Sequence, residues 1–317
     1  MSCFLVLIFV RKFEHFCGTG SAFANVSSIP NENKALLEFR DGLIDLLNWP
    51  LSWIGEDRCP WKGVVCSRTS GHVIKLDLRN QFQLDELGIP YFDFYPGNYS
   101  SVFLKAKVPV HLGNPSSLQY LDLGTFSAFY APSNFLTSDN LQWTFTLSSL
   151  QYVDLSGANL PKDNKWLHSI NMLPSLLELH FIPLKTFKYS SVSQNPIPAS
   201  LGRLSSLIQL SLGLDHLNGS IPKSFGLLSN LEVLDVSDNK LGGMVFRPTW
   251  VPPFQLQGEK LSIHYNEFDG EIPLEFGHLS QLRVLNLAQS RIAGTLLRCF
   301  INFSAMIGEA RKCEHWL

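Results

Sequence analysis

Charge is scarce in this chain. Only 16% of its 317 residues are charged, and the formal net charge is −2. A balance so near neutral gives no long-range pull toward a polyanion, which sets nucleic acid aside as a partner. Long apolar runs are missing too. Hydrophobic residues make up 45% of the chain, yet no stretch reaches the roughly 18–20 apolar residues of a membrane-crossing helix. Reactive motifs are also absent: there is no GxSxG, HExxH, P-loop, GxGxxG or protein-kinase signature, and His180, His264 and His278 lack metal-ligand spacing. Catalysis needs converging reactive groups, so the expectation is a protein that is not an enzyme and carries no cofactor or metal. The six cysteines fall in three places: Cys3 and Cys17, Cys59 and Cys66, Cys299 and Cys313.

The N-terminus supplies a short apolar run, Met1 to Val10, then Arg11 and Lys12, then an Ala22-Phe23-Ala24 cleavage pattern. This reads as a secretory signal peptide over residues 1–24. Secretion makes a local disulfide between Cys59 and Cys66 reasonable, against the alternative of a zinc half-site that lacks a second Cys/His pair. Four Asn-x-Ser sequons, at Asn25, Asn98, Asn218 and Asn302, then favour a glycoprotein.

What fills the chain is a repeat. Leu231, Leu234, Val236 and Asn239 satisfy the template LxxLxLxxN in full. Related copies begin at residues 118, 150, 176, 207, 258 and 282, so the period runs from 24 to 32 residues. A second signature follows in phase, Leu217 to Pro222 and Phe268 to Pro273, each a Gly two residues before Ile-Pro. The physics is simple. A short strand supplies one rung of a parallel sheet, with template positions 1, 4 and 6 turned inward. The Asn amide bonds backbone groups where the chain leaves the strand. Gly permits the bend, and Ile-Pro gives an extended return. No rung buries a core alone, so rungs stack into a solenoid.

This spacing resembles the plant-type extracellular leucine-rich repeat. The front end resembles the N-terminal cap of plant receptor-like proteins and leucine-rich repeat receptor kinases: apolar residues at helical spacing from Glu32 to Arg40, then Trp53, Cys59, Trp61, Gly63 and Cys66, closed by Gly71 to Leu78. Many such caps carry a doubled Cys before the Trp; here Arg58 takes one of those places. The resemblance implies an α/β repeat solenoid, a curved leucine-rich repeat superhelix with a parallel sheet on its concave face and a helical, disulfide-clipped cap. The expected boundaries are a cap at 31–71, about eight repeats over 72–300 with one eroded near 80–117, and an irregular, truncated C-terminus at 301–317. The aromatic run from Tyr91 to Tyr99 is expected to be an insertion or an eroded repeat, and the segment from Arg247 to Pro253 a longer rung.

The function expected is an extracellular ligand-recognition module of a receptor-like protein, in defence or developmental signalling. Its concave face would take a peptide, glycan or protein ligand, with Tyr120, Tyr152, Lys260, His264, Tyr265 and Arg283 as contacts. Family members without a kinase work with kinase-bearing co-receptors, which implies such a partner here. The chain is expected outside the cell or on the outer face of the plasma membrane, where full-length relatives are single-pass proteins. Two alternatives stand beside this: a secreted inhibitor of the polygalacturonase-inhibitor type, and a non-functional receptor gene fragment. The aspartates at 77, 122, 154 and 235 share one template position and are expected to form a solvated column.

Overall fold

The computed structural model describes residues 29–42, 53–78 apart from 56, 106–124, 136–158 apart from 139, 169–181, 196–213, 217–244, 259–271 and 281–293. Each template copy in these segments becomes a strand of three residues. Its middle residue points into the core and the two flanking residues point away from it. Leu121, Val153, Leu179, Leu210, Leu234 and Leu261 are all fully buried in this way. A buried leucine stabilises by about 2–3 kcal/mol, so successive rungs are held chiefly by this central row.

The strands form one nine-stranded sheet, in the order Val64–Cys66, Val73–Asp77, Tyr120–Asp122, Tyr152–Asp154, Glu178–His180, Gln209–Ser211, Val233–Asp235, Lys260–Ser262 and Val284–Asn286. Neighbours pair in parallel and in register, Leu121 with Val153 and Leu234 with Leu261 for example. The exception is the first join, where Val64–Cys66 runs antiparallel to Val73–Asp77. Behind this sheet lie single 3₁₀ turns, at Val110–Gly113, Gln142–Thr146, Ala199–Arg203 and Lys223–Leu227. A four-stranded flank sheet is built from Asn218–Gly219, Lys240–Met244, Glu267–Glu271 and Arg291–Ala293.

The template asparagines tie rungs together. Asn239 donates its side-chain amide to the carbonyls of Leu212, Val236 and Ser237 and accepts from the Leu217 N–H. Asn266 repeats this one rung on, toward Val236, Ile263 and His264, and accepts from Leu241. Both are buried. Just before each of them the backbone turns left-handed, at Asp238 (φ 54°) and Tyr265 (φ 51°), and Gln289 (φ 53°) repeats the corner in the next rung.

No rung of the main sheet comes from 79–117. Val73–Asp77 is bonded directly to Tyr120–Asp122, with Lys75 opposite Tyr120 and Asp77 opposite Asp122. The eroded repeat expected near 80–117 thus adds no strand to this sheet, and residues 79–105 lie outside the described residues. Ala106–Lys107 pairs with Leu136–Thr137 behind the sheet.

The cap is a helix, Pro30–Gly42, with Ala35, Leu36 and Phe39 buried. Cys59 and Cys66 are disulfide-bonded. Trp61 closes the end of the core, and it does so stacked on Trp53, with ring centroids 5.0 Å apart. Both indole N–H groups are satisfied, Trp53 by the Lys62 carbonyl and Trp61 by that of Ile54. Arg58, in the place of the second cysteine, is wholly buried. It donates to Glu32 Oε2 (2.9 Å) and to the Gly71 carbonyl (3.0 Å), while Glu32 also accepts from the Val73 N–H and meets His72 Nδ1 at 2.7 Å. This network joins the start of the helix to the second strand. The signal peptide, Cys299, Cys313, the runs 91–99 and 247–253, the sequons at Asn25, Asn98 and Asn302, and the C-terminal 301–317 all lie outside the described residues.

Candidate functional site

On the face of the main sheet turned away from the core, the residues flanking each central leucine line up across rungs. At one flank the order is Lys75, Tyr120, Tyr152, Glu178, Gln209, Val233, Lys260 and Val284. The first three of these form a ladder. Lys75 Nζ stands 4.3 Å from the centre of the Tyr120 ring. Tyr120 and Tyr152 stack with centroids 4.2 Å apart and planes 7° from parallel. The His180 ring continues the ladder 5.3 Å beyond Tyr152. Strands about 4.8 Å apart bring rings on adjacent rungs to stacking distance.

Beneath the rings lies Asp122. Rather than sitting in a solvated column, it is fully buried. Its Oδ2 accepts from the Tyr120 hydroxyl at 3.1 Å and from the Tyr152 hydroxyl at 3.4 Å, and its Oδ1 accepts from the Gly124 N–H at 3.0 Å. Asp77 pairs with Lys75 at 3.1 Å, and Asp154 accepts from the Ser156 N–H at 2.7 Å. Burial raises the pKa of Tyr152 well above the ordinary tyrosine value, and the negative charges of Asp154 and Asp122 push it further the same way. Its hydroxyl thus stays a hydrogen-bond donor throughout the physiological range.

A second cluster lies further along the sheet. Lys260 Nζ pairs with Asp235 Oδ2 at 3.0 Å, and Asp235 Oδ1 accepts from both the N–H and the hydroxyl of Ser237. His264 lies 2.9 Å from the Ser262 hydroxyl and 3.6 Å from Asp238 Oδ2. That order of acid, imidazole and hydroxyl is not a nucleophile relay: Ser262 is only 2% exposed, so no substrate reaches its oxygen. Tyr265 meets the His264 ring edge to face and is 51% exposed. A bulky side chain at a left-handed corner is sterically costly, and here the corner turns the ring outward.

The six expected contact residues are therefore not one patch. Tyr120 and Tyr152 adjoin on consecutive rungs. Lys260, His264 and Tyr265 share a single rung, and Arg283 on the next one sits 4.0 Å from Glu259. Three intervening rungs, at Glu178–His180, Gln209–Ser211 and Val233–Asp235, separate the two groups. Lys75, Asp122, His180 and Asp235 complete the clusters and were not singled out as contacts. Lys75 could be placed beside Tyr120 only once 79–117 was known to add no rung. Among the described residues, no group of three His, Cys, Asp or Glu side chains could hold a metal ion, and no helix is long and apolar enough to cross a membrane.

The leucine-rich repeat N-terminal domain model matches residues 29–67. Receptor-like protein EIX1 of Solanum lycopersicum is 27% identical over 279 residues, covering 67% of this chain and 26% of the tomato protein. Receptor-like protein 6 of Arabidopsis thaliana is 29% identical over 314 residues, covering 90% of this chain and 30% of its own length. Among solved structures, the ectodomain of the Arabidopsis receptor kinase HAESA, in complex with a peptide hormone ligand, superposes with a TM-score of 0.59 at 23% identity, over 88% of this chain and 44% of that one. The topology and these likenesses define a leucine-rich repeat solenoid of the ectodomain type. Over the residues it aligns, the chain resembles the plant leucine-rich repeat receptor-like proteins. It spans between a quarter and a third of the length of these two relatives.

Proposed function

We propose that this chain is an extracellular recognition module of a plant cell-surface receptor-like protein, and that it binds a peptide or protein ligand on its concave sheet face in defence or developmental signalling. The observation that carries this is the ladder Lys75, Tyr120, Tyr152 and His180 over buried Asp122. Tyrosines locked by stacking lose little entropy on binding, which makes them good anchors. The second cluster, from Lys260 to Tyr265 with Arg283, offers a basic and aromatic foothold about 20 Å away at roughly 4.8 Å per strand. An extended peptide of six or so residues spans that distance at about 3.3 Å per residue. Residues 1–24 would direct secretion. A kinase-bearing co-receptor would relay the signal, as the resemblance to receptor-like proteins implies.

The test is selection of a displayed random-peptide library against the secreted protein. Selected peptides should lose affinity on Tyr152→Ala or Lys260→Glu and keep it on Lys223→Glu, which lies on a 3₁₀ turn behind the sheet. Equal binding to all three variants would overturn the proposal.

A further inference from the structure

Both faces of the two ladder tyrosines are already occupied. Lys75 Nζ lies over the Tyr120 ring, 4.3 Å from its centre, and Tyr152 stacks on the same ring at 4.2 Å. Tyr152 in turn has Tyr120 on one side and the His180 ring, 5.3 Å away, on the other. Each tyrosine stands between its two neighbours, since these come from the rungs before and after it. Both hydroxyls turn toward Asp122. Yet Tyr120 and Tyr152 are only half-buried. What they leave open to the concave side is the C–H rim of each ring.

A ring's face and its rim attract different partners. The face is electron-rich and draws cations, whereas the rim is its positive complement and draws the face of another ring. Here the cation comes from within, as Lys75. Two parallel rims 4.2 Å apart form a ridge on which one aromatic side chain can lie flat. Further along, the outward surface turns apolar. Leu177 and Ile208 adjoin on consecutive rungs, with the Ile208 N–H bonded to the Leu177 carbonyl, and Val233 follows on the next rung, opposite Gln209. All three are half-buried. The template place held by Leu177 and Ile208 is polar in other rungs, at Gln119, Gln151, Glu232, Glu259 and Arg283, so core packing does not require apolar residues there. The patch centres two and a half rungs from the ridge, about 12 Å at roughly 4.8 Å per strand.

We propose that the ligand is an extended peptide running across the rungs, with a Trp, Tyr or Phe side chain lying face-on upon the rims of Tyr120 and Tyr152. An aliphatic side chain three or four residues away then sits on Leu177, Ile208 and Val233. This rests on the concave face being the binding surface. The spacing follows from reach, since three to four extended residues span about 10–13 Å. Cationic side chains are refused at the ridge because the ring faces they would seek are taken. Lys75 thus sets specificity by holding the place that a ligand cation would otherwise fill.

The experiment pans one displayed random-peptide library against the full secreted chain, as wild type and as Lys75→Ala. Lys75 is exposed enough for that change to leave the fold intact, and its loss bares one Tyr120 face beside Asp77. Wild-type selections should carry an aromatic residue with an aliphatic one three or four positions away. Lys75→Ala selections should show Arg or Lys in the aromatic place several-fold more often. Ile208→Lys should weaken the wild-type peptides several-fold. Changing the peptide's aromatic residue to Leu should cost affinity on the wild type and much less on Tyr152→Ala. Peptides that depend on Tyr152 yet carry Arg or Lys at that place on the wild type, or show no fixed spacing, would overturn this inference and leave the concave-face reading standing. Peptides indifferent to Tyr152, Ile208 and Lys260 alike would overturn both.

Discussion

Arg58 Nη2 lies 2.9 Å from Glu32 Oε2, and neither side chain exposes more than 2% of its surface. The pair fastens the cap helix to the first rungs at the place where many related caps have a second half-cystine. Arg58→Ala would strand the Glu32 carboxylate in the interior, and breaking such a pair costs about 3–5 kcal/mol. Denaturant unfolding of the secreted protein should show that loss for Arg58→Ala, and a smaller one for Glu32→Gln, whose amide oxygen still accepts from the Val73 N–H. Because the fastening is ionic, it should survive thiol reductants that open Cys59–Cys66. A cap fully unfolded by reductant alone would contradict this.

Glycines at two places should respond oppositely to the same change. A Cβ on Gly202 would sit 2.3 Å from the Ser224 carbonyl oxygen, a backbone atom of the next 3₁₀ turn. Gly202→Ala should therefore lower stability by about 1–3 kcal/mol or more, as overpacking does. A Cβ on Gly242 would meet Glu267 at an ordinary contact distance of 3.5 Å, so Gly242→Ala should change it by less than about 1 kcal/mol. Thermal unfolding of the two variants side by side checks the contrast.

Alkaline pH should act through Tyr152. Its pKa is raised in the folded state by burial and by Asp154 and Asp122, above an ordinary value of 10.0. Below that value the phenol is protonated in folded and unfolded chains alike, so its contribution to stability is complete. Above it the unfolded chain ionises while the folded site resists. Stability then falls by up to about 1.4 kcal/mol per pH unit for this group. Tyr152→Phe should flatten that decline. A phenolate absorbance from Tyr152 that precedes unfolding would refute it.

The asparagine ladder weakens at its last described step. Ser290 stands where Asn239 and Asn266 stand in earlier rungs, and its hydroxyl reaches the Ile263 carbonyl only at 3.4 Å. Ser290→Asn should stabilise by about 0.5–1.5 kcal/mol through the regained bonds. Asn266→Ala should cost about 1–3 kcal/mol, since it leaves the Leu241 N–H unpaired in the interior and takes one donor from each of the Val236, Ile263 and His264 carbonyls. Hydrogen exchange at Leu241 would report the Asn266 change locally, and denaturant unfolding would report the gain from Ser290→Asn.

Much of this architecture was legible in the sequence because a repeat writes its period many times. The inward leucines and the asparagine turns follow from residue type and spacing, and the helical, cysteine-clipped cap follows from the resemblance to plant receptor caps. The connection at 79–117 was not legible: its length fits one more rung, and only the hydrogen bonds between Val73–Asp77 and Tyr120–Asp122 exclude it. The candidate site was legible in part. Outward positions could be named, but not which of them touch, since contact depends on register across the sheet. Asp122 shows the limit most clearly. Its template position faces away from the core, yet it is buried, with the hydroxyls of Tyr120 and Tyr152 on its carboxylate. Arg58 was visible as a departure from the doubled cysteine, but its partner Glu32 lies 26 positions away.

The reversed first strand has a consequence for how such an array can change length. Val64–Cys66 occupies the outer side of Val73–Asp77 in the opposite direction, so the row of parallel rungs is terminated there like a polymer with one blocked end. Unit duplications and deletions in the lineage can be accommodated only on the far side of that terminator. At three residues, with its pairing irregular between Val65 and Cys66, this terminal strand is also a poor template for runaway sheet extension by another molecule.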